Sequence, residues 1–215
     1  ILVNSGHTAA RLAAFARTLE LASPPVLVAP LGLEPVFQTG APVASERPYF
    51  LHVGTIEARK NLAFLLSLWR RLEETLGDQT PALVLVGRYG WENEAVLDHL
   101  QRSPNLQGLV HQISNLPDAG LARLMRSARA VLAPSAEEGF DLPAVEAMAS
   151  GVPLIASDIP AHRELVPTAK LIDPLDGPGW LKAIQAATRK PPRAPAYAAP
   201  TWDAHFEGVA RFLGL

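Results

Sequence analysis

The chain has 215 residues, 48% of them hydrophobic and 19% charged, with a formal net charge of -2, which describes an ordinary globular protein of one large or two small domains. That charge balance argues against a protein whose work is to neutralise a nucleic-acid backbone, and the lack of cysteine removes disulfide frameworks, thiolate metal sites and cysteine nucleophiles together. Apolar stretches such as "NLAFLLSLW" fall far short of the roughly 20 residues a membrane span needs, and no basic and then apolar leader opens the chain.

In chain order, short β-branched runs alternate with segments of helical period. Strands are predicted at 1–5, 25–32, 49–54, 82–87, 106–113, 130–135, 153–157 and 169–173, most of them ending in Gly, Ser, Pro or Asp. Helices are predicted at 8–18, 61–76, 92–102, 118–128, 143–150, 180–189 and 202–213. The strand runs are nearly continuous in apolar residues rather than alternating, as befits strands covered on both faces. This predicts an α/β fold: a doubly wound, Rossmann-like parallel sheet whose ligand sits outside the carboxyl ends of the strands. Pro- and small-residue-rich stretches at 38–48 and from 190 onward divide the chain into segments 1–37, 49–189 and 190–215. The opening "ILVNSGH" enters in mid-strand without a Met, which predicts a piece of a longer protein.

The post-strand loops carry the chemistry. After "YFLHVG" come Gly54, Thr55 and then Arg59 and Lys60, just before a helix with Asn61 as its predicted N-cap. Cations are disfavoured at the positive end of a helix dipole, so this pair calls for a bridging anion; an exposed basic turn is the alternative. Gly87 and Arg88 begin "GRYGW", whose glycines permit close backbone approach to a ligand, although the loop is neither a dinucleotide fingerprint nor a P-loop. The strongest stretch is "AEEGFDLPAVEAMASG". Glu138 and Gly139 precede a helix with Pro143 in its first turn, and Glu146 stands inside the helix's apolar run. The N–H groups of Gly139, Phe140, Asp141 and Leu142 would form a phosphate cradle without side-chain charge. Carboxylates on either side of it suit a nucleotide sugar, each accepting charge-assisted hydrogen bonds from sugar hydroxyls. The alternative makes Glu138 a surface charge and pairs Glu146 with a cation such as Arg163. The histidines are scattered and form no metal site.

The segments "VGTIEARKN", "PSAEEGFDLPAVEAMASGVPLIASDIPAHREL" and "LIDPLDGPGW", in this order, resemble the C-terminal half of family 4 (group 1) glycosyltransferases of GT-B fold, whose signature is two Glu separated by seven residues. The resemblance covers nearly the whole chain. It implies a retaining hexosyltransferase without a divalent metal or other cofactor, the nucleotide-diphosphate sugar being a substrate; a nucleotide-sugar epimerase of the same fold and a non-catalytic nucleotide-binding module are the alternatives. Lys60 and Arg59 would hold the diphosphate, Glu138 the donor hexose and Glu146 the ribose, with the amides of Phe140, Asp141 and Leu142 facing sugar and phosphate. Gly54, Thr55, Gly87, Arg88 and Gly139 complete the implied donor site. Segment 1–37 would be a remnant of the N-terminal acceptor domain, 38–48 a linker, 49–189 the nucleotide-sugar domain, and 190–215 a connector and crossover helix. "GT…RKN" with "SDIPAHRE" resembles members that use GDP-mannose in polysaccharide assembly. The implied partners are the nucleotide sugar and a glycan or lipid-linked acceptor, with no nucleic acid. The implied location is cytoplasmic, the full-length enzyme touching the inner membrane face peripherally. Two positions depart from the family pattern: Thr55 stands where many members have Arg, whose loss Arg59 would meet, and Asp141 where many have Gly. An Asp aimed at phosphate would repel it, so its side chain is expected to turn back and cap the helix.

Overall fold

The computed structural model describes residues 1–38, 47–190 and 192–215, so most of the predicted 38–48 linker lies outside the described residues. The first segment holds β1 (Leu2–Val3), α1 (Gly6–Thr18) and β2 (Leu27–Val28), the strands forming a small parallel sheet. The larger sheet contains β3 (Tyr49–Val53), β4 (Ala82–Val86), β5 (Val110–Ile113), β6 (Ala130–Ala133), β7 (Leu154–Ser157) and β8 (Lys170–Ile172). These strands run parallel in the order β5-β4-β3-β6-β7-β8. The connecting helices are α2 (Leu62–Leu76), α3 (Glu94–Arg102), α4 (Asp118–Ser127), α5 (Leu142–Ala149), α6 (Pro160–Leu165) and α7 (Gly177–Arg189), and α8 (Trp202–Leu213) ends the chain.

Strand residues alternate between two cores, one on each face. Phe50, Leu83, Leu85, Leu132 and Ile155 face α2 and α7, while Leu51, Val84, Val131 and Leu154 face α4 and α5. The predicted doubly wound fold is therefore the observed one. Helix α2 shows why the pattern was readable: Leu62, Leu65, Leu66, Trp69 and Leu72 recur at helical spacing and are all buried. Trp69 packs edge-on against Phe50 at 5.7 Å and donates Nε1–H to the Pro81 carbonyl, so truncating it to Ala would cost about 3–5 kcal/mol.

Ends of elements differ from the sequence expectations for local reasons. Asn61 does not cap α2 with its side chain; it takes a left-handed conformation after a 3-10 turn at Ala58–Lys60, and its amide reaches toward the Pro174 carbonyl. The run predicted as a strand at 106–113 begins as a 3-10 turn at Pro104–Leu106 and pairs only from Val110. Helix α6 was not predicted, because six residues opened by a proline show too little periodicity.

Strand order reverses between β3 and β6, so the crevice outside their carboxyl ends is the topological switch point of the fold. Gly54 closes β3 there, and a Cβ on Gly87 would fall 1.9 Å from the Gly54 carbonyl oxygen, so only glycine lets the post-β4 loop lie against the post-β3 loop.

Candidate functional site

At this switch point lies a cleft of about 640 Å³. One wall is the loop from β6 into the first turn of α5, Glu137 through Pro143; Arg59 and Lys60 form the floor, and Asn4, Thr8 and Arg11 of the first segment face them. The side chain of Ser5, which also caps α1, donates to the Gly139 carbonyl and so fixes the loop to the first segment. Glu164 of α6 accepts from the N–H groups of Gly6 and His7 at 2.7 and 2.9 Å, placing a carboxylate on the positive end of α1. Among the described residues, no protein acceptor meets the N–H groups of Gly139, Phe140, Asp141 or Leu142. Together these four form an open row of donors at the start of α5.

Both basic side chains are engaged by carboxylates. Arg59 lies 2.6 Å from Glu138 Oε2 and 2.5 Å from Glu57 Oε1, while Lys60 Nζ lies 2.6 Å from Glu138 Oε1 and 3.2 Å from Asp141 Oδ1. Lys60 is buried and Arg59 half exposed. Burial alone would lower the Arg59 guanidinium; the charges of Glu138 and Glu57 outweigh it and raise it further, so it stays cationic.

The expected helix-capping role of Asp141 is not what the structure shows. Asp141 sits at φ 61°, makes no side-chain cap, and turns its carboxylate inward to Lys60 and to His162 Nε2 at 2.9 Å. Burial pushes this carboxyl up, but the His162 hydrogen bond and the Lys60 charge hold it below the usual range. His162, Glu57 and the first-segment residues Ser5 and Thr8 were all missed as site components. Ser5 and His162 bond residues 134 and 21 positions away, beyond the reach of any local pattern, whereas Glu57 pairs with Arg59 two positions on.

Glu146 is 8% exposed and, among the described residues, faces no cation. Among the described residues no hydrogen bond or ion pair reaches its carboxylate, and Arg163 instead forms a two-pronged pair with Asp158. Burial, helped by the charges of Asp118 and Asp141, pushes the Glu146 carboxyl from 4.5 up to about 7. Of the other predicted residues, Gly54 borders Lys60, whereas Thr55, Gly87 and Arg88 lie on the neighbouring rim; Arg88 is exposed and bonds Asn115 at 2.8 Å. Three polar atoms at or just past the carboxyl ends of β3, β6 and β7 stay buried without a partner among the described residues: His52 Nε2, Ser135 Oγ and Ser157 Oγ. Burial lowers His52 to about 4, so it is neutral at physiological pH.

A Rossmann-like sheet with a charged, amide-lined cleft at its switch point has the arrangement in which doubly wound folds hold their ligands. Residues 38–193 match the family described as Glycosyl transferases group 1, and the chain belongs to that family. It is 36% identical over 129 residues to O-antigen chain mannosyltransferase B of Escherichia coli, covering 60% of this chain and 33% of that protein. Among solved structures it superposes on Anabaena HepE in complex with UDP and glucose with a TM-score of 0.74 at 19% identity, covering 98% of this chain and 58% of that one. It also superposes on sucrose-phosphate synthase from Thermosynechococcus elongatus with a TM-score of 0.71 at 23% identity, covering 97% of this chain and 53% of that one. The fold is thus the GT-B glycosyltransferase type. The chain spans about a third of the length of the first of these relatives and a little over half that of the solved structures.

Proposed function

We propose that this chain is the donor-binding part of a retaining glycosyltransferase that takes a hexose from a nucleotide-diphosphate sugar and, in the complete enzyme, passes it to a polysaccharide, lipid-linked or other glycan acceptor. Mannose from GDP-mannose is the favoured donor, since the relatives at 30% identity or more with the longest matches bear mannosyltransferase names. The observation that carries the proposal is Glu146: a buried carboxylate with no protein partner among the described residues, one turn beneath a row of backbone N–H groups that also meet none there. A ribose diol supplies the two O–H donors such a carboxylate lacks, and the diphosphate supplies acceptors for the amides.

In this reading Lys60 and Arg59 exchange carboxylate partners for phosphate oxygens. Together with the start of α5 they stabilise the charge that builds on the departing diphosphate, work a divalent metal does in other transferases. Glu138, freed from one cation, accepts from the hexose hydroxyls. The first segment and α8 expose Phe15, Phe206 and Leu213, and we assign this apolar surface to the seat of the acceptor-binding domain. A cytoplasmic setting at the membrane face is part of the proposal; among the described residues no helix is long and apolar enough to cross a membrane.

Thermal-shift titrations of the protein with GDP, UDP and ADP test the donor site, followed by transfer assays of the full-length enzyme with the matching labelled sugar. GDP should raise Tm most. If Glu146→Ala left nucleotide affinity unchanged, the proposed ribose site would be wrong.

A further inference from the structure

Asp141 poses an electrostatic problem. Its backbone N–H belongs to the row that is to receive a diphosphate, and its carboxylate is buried a few ångströms behind that row, bound to the lysine that is to hold the same diphosphate. A bare carboxylate there would repel phosphate and tie up the charge of Lys60. The other side of Asp141 resolves the problem. His162 is fully buried on α6, and each of its ring nitrogens faces an oxygen that accepts: Nδ1 lies 2.8 Å from the Ser157 carbonyl, and Nε2 lies 2.9 Å from Asp141 Oδ2. A carbonyl cannot donate, and the Lys60 ammonium 3.2 Å from Asp141 Oδ1 favours an ionised carboxylate that cannot donate either; a neutral imidazole carries only one N–H, so a neutral ring would turn a bare nitrogen lone pair onto one of these oxygens. Two N–H groups satisfy both.

We infer that His162 is an imidazolium and a positioning residue of the donor-phosphate site: its charge cancels that of Asp141, and through Asp141 it sets the place of the Lys60 ammonium. This rests on the donor-site reading above. The cancellation also accounts for an Asp at a left-handed position where glycine would meet less strain: Lys60 and His162 hold its two oxygens from opposite sides. Helix α6 then has two tasks, His162 facing the phosphate loop and Glu164 holding the start of α1.

The test is a pair of substitutions read with ligands of graded charge. His162→Gln keeps a donor for one oxygen and removes the charge. It should weaken GDP binding by about tenfold or more, GMP less and guanosine least, because only the phosphates sense the uncovered carboxylate. Adding Asp141→Asn to His162→Gln should restore GDP affinity to that of Asp141→Asn alone, a rescue that a packing role of His162 would not give. Equal losses for GDP and guanosine, unchanged GDP binding in His162→Gln, or no rescue in the double variant would each overturn the inference. A wild-type protein that binds no nucleoside diphosphate would overturn the donor-site reading and, with it, the phosphate role of His162. The imidazolium is tested apart from any ligand by the 15N shifts of the His162 ring: both nitrogens protonated in the wild type and one in Asp141→Asn supports it, and a neutral wild-type ring overturns it.

Discussion

Glu138 and Glu146 are the two glutamates of a single motif, and they stand in opposite surroundings. Glu138, in the loop before α5, is wedged between Arg59 and Lys60, both within 2.6 Å, whereas Glu146, inside the helix, feels the charges of two other carboxylates, Asp118 and Asp141. The first is compensated by its own protein and must release a cation to meet a ligand. Among the described residues nothing compensates the second. A buried charge without a partner is costly and so marks a site better than a buried ion pair, which networks of purely structural purpose also contain.

The largest break in this contrast comes from removing the cation on the compensated side. Lys60→Met leaves Glu138 and Asp141 facing each other with only Arg59 and His162 to balance them. Breaking a buried pair in this way costs about 3 to 5 kcal/mol. Differential scanning calorimetry should show a fall in Tm on the order of 10 °C, with loss of diphosphate-dependent stabilisation. If Tm held, the network around Glu138 would be a surface feature and the contrast would vanish.

The uncompensated side predicts the opposite sign. Because Glu146 is raised from 4.5 to about 7, the folded state holds its proton more tightly than the unfolded chain does, so its cost to stability is absent below pH 4.5, grows as pH rises, and is complete above 7. Glu146→Gln should therefore stabilise the ligand-free protein at pH 8, by up to about 3 kcal/mol, and leave it unchanged near pH 4.5. Urea unfolding at the two pH values decides this. The same substitution should weaken nucleotide binding by about tenfold and flatten the part of the affinity that rises with pH through 7 in the wild type, measured by isothermal titration against the variant. A variant that loses stability at pH 8 would mean that Glu146 has a protein partner after all.

The sequence made one side of this contrast more legible than the other. Period and apolar runs disclose the sheet and most helices, because each rests on neighbours within one element; Gly139, Pro143 and the two glutamates disclose the site, because they fall in one short stretch. Glu146 stood out as a charge inside the apolar run of α5, and its isolation in the fold is what that position foretold. Asp141 stands out as a departure from the family pattern, and the helix cap expected of it is not the role it takes. Its two partners arrive from the turn before α2 and from α6, 81 and 21 positions away, and α6 is too short to declare itself. The pairing of Arg59 and Lys60 with carboxylates was hidden for the same reason: local sequence shows which charges cluster at a loop, and only the fold shows which of them face each other.

The smallest effects concern the surroundings of Glu146. Asp118 opens α4 and adds its charge to the burial that raises Glu146, so Asp118→Asn should move the Glu146 midpoint down from about 7 toward 4.5, seen as a smaller stabilisation by Glu146→Gln that levels off at a lower pH. Arg163 was the cation that sequence alone offered Glu146. In the fold it points outward to Asp158, and both partners are too exposed and screened for their pair to matter much. Arg163→Ala should accordingly leave Tm, the Glu146 midpoint and nucleotide affinity unchanged. Were the midpoint to rise on losing Arg163, Glu146 would have been leaning on a cation of its own protein, and the need for a ligand hydroxyl at that carboxylate would lapse.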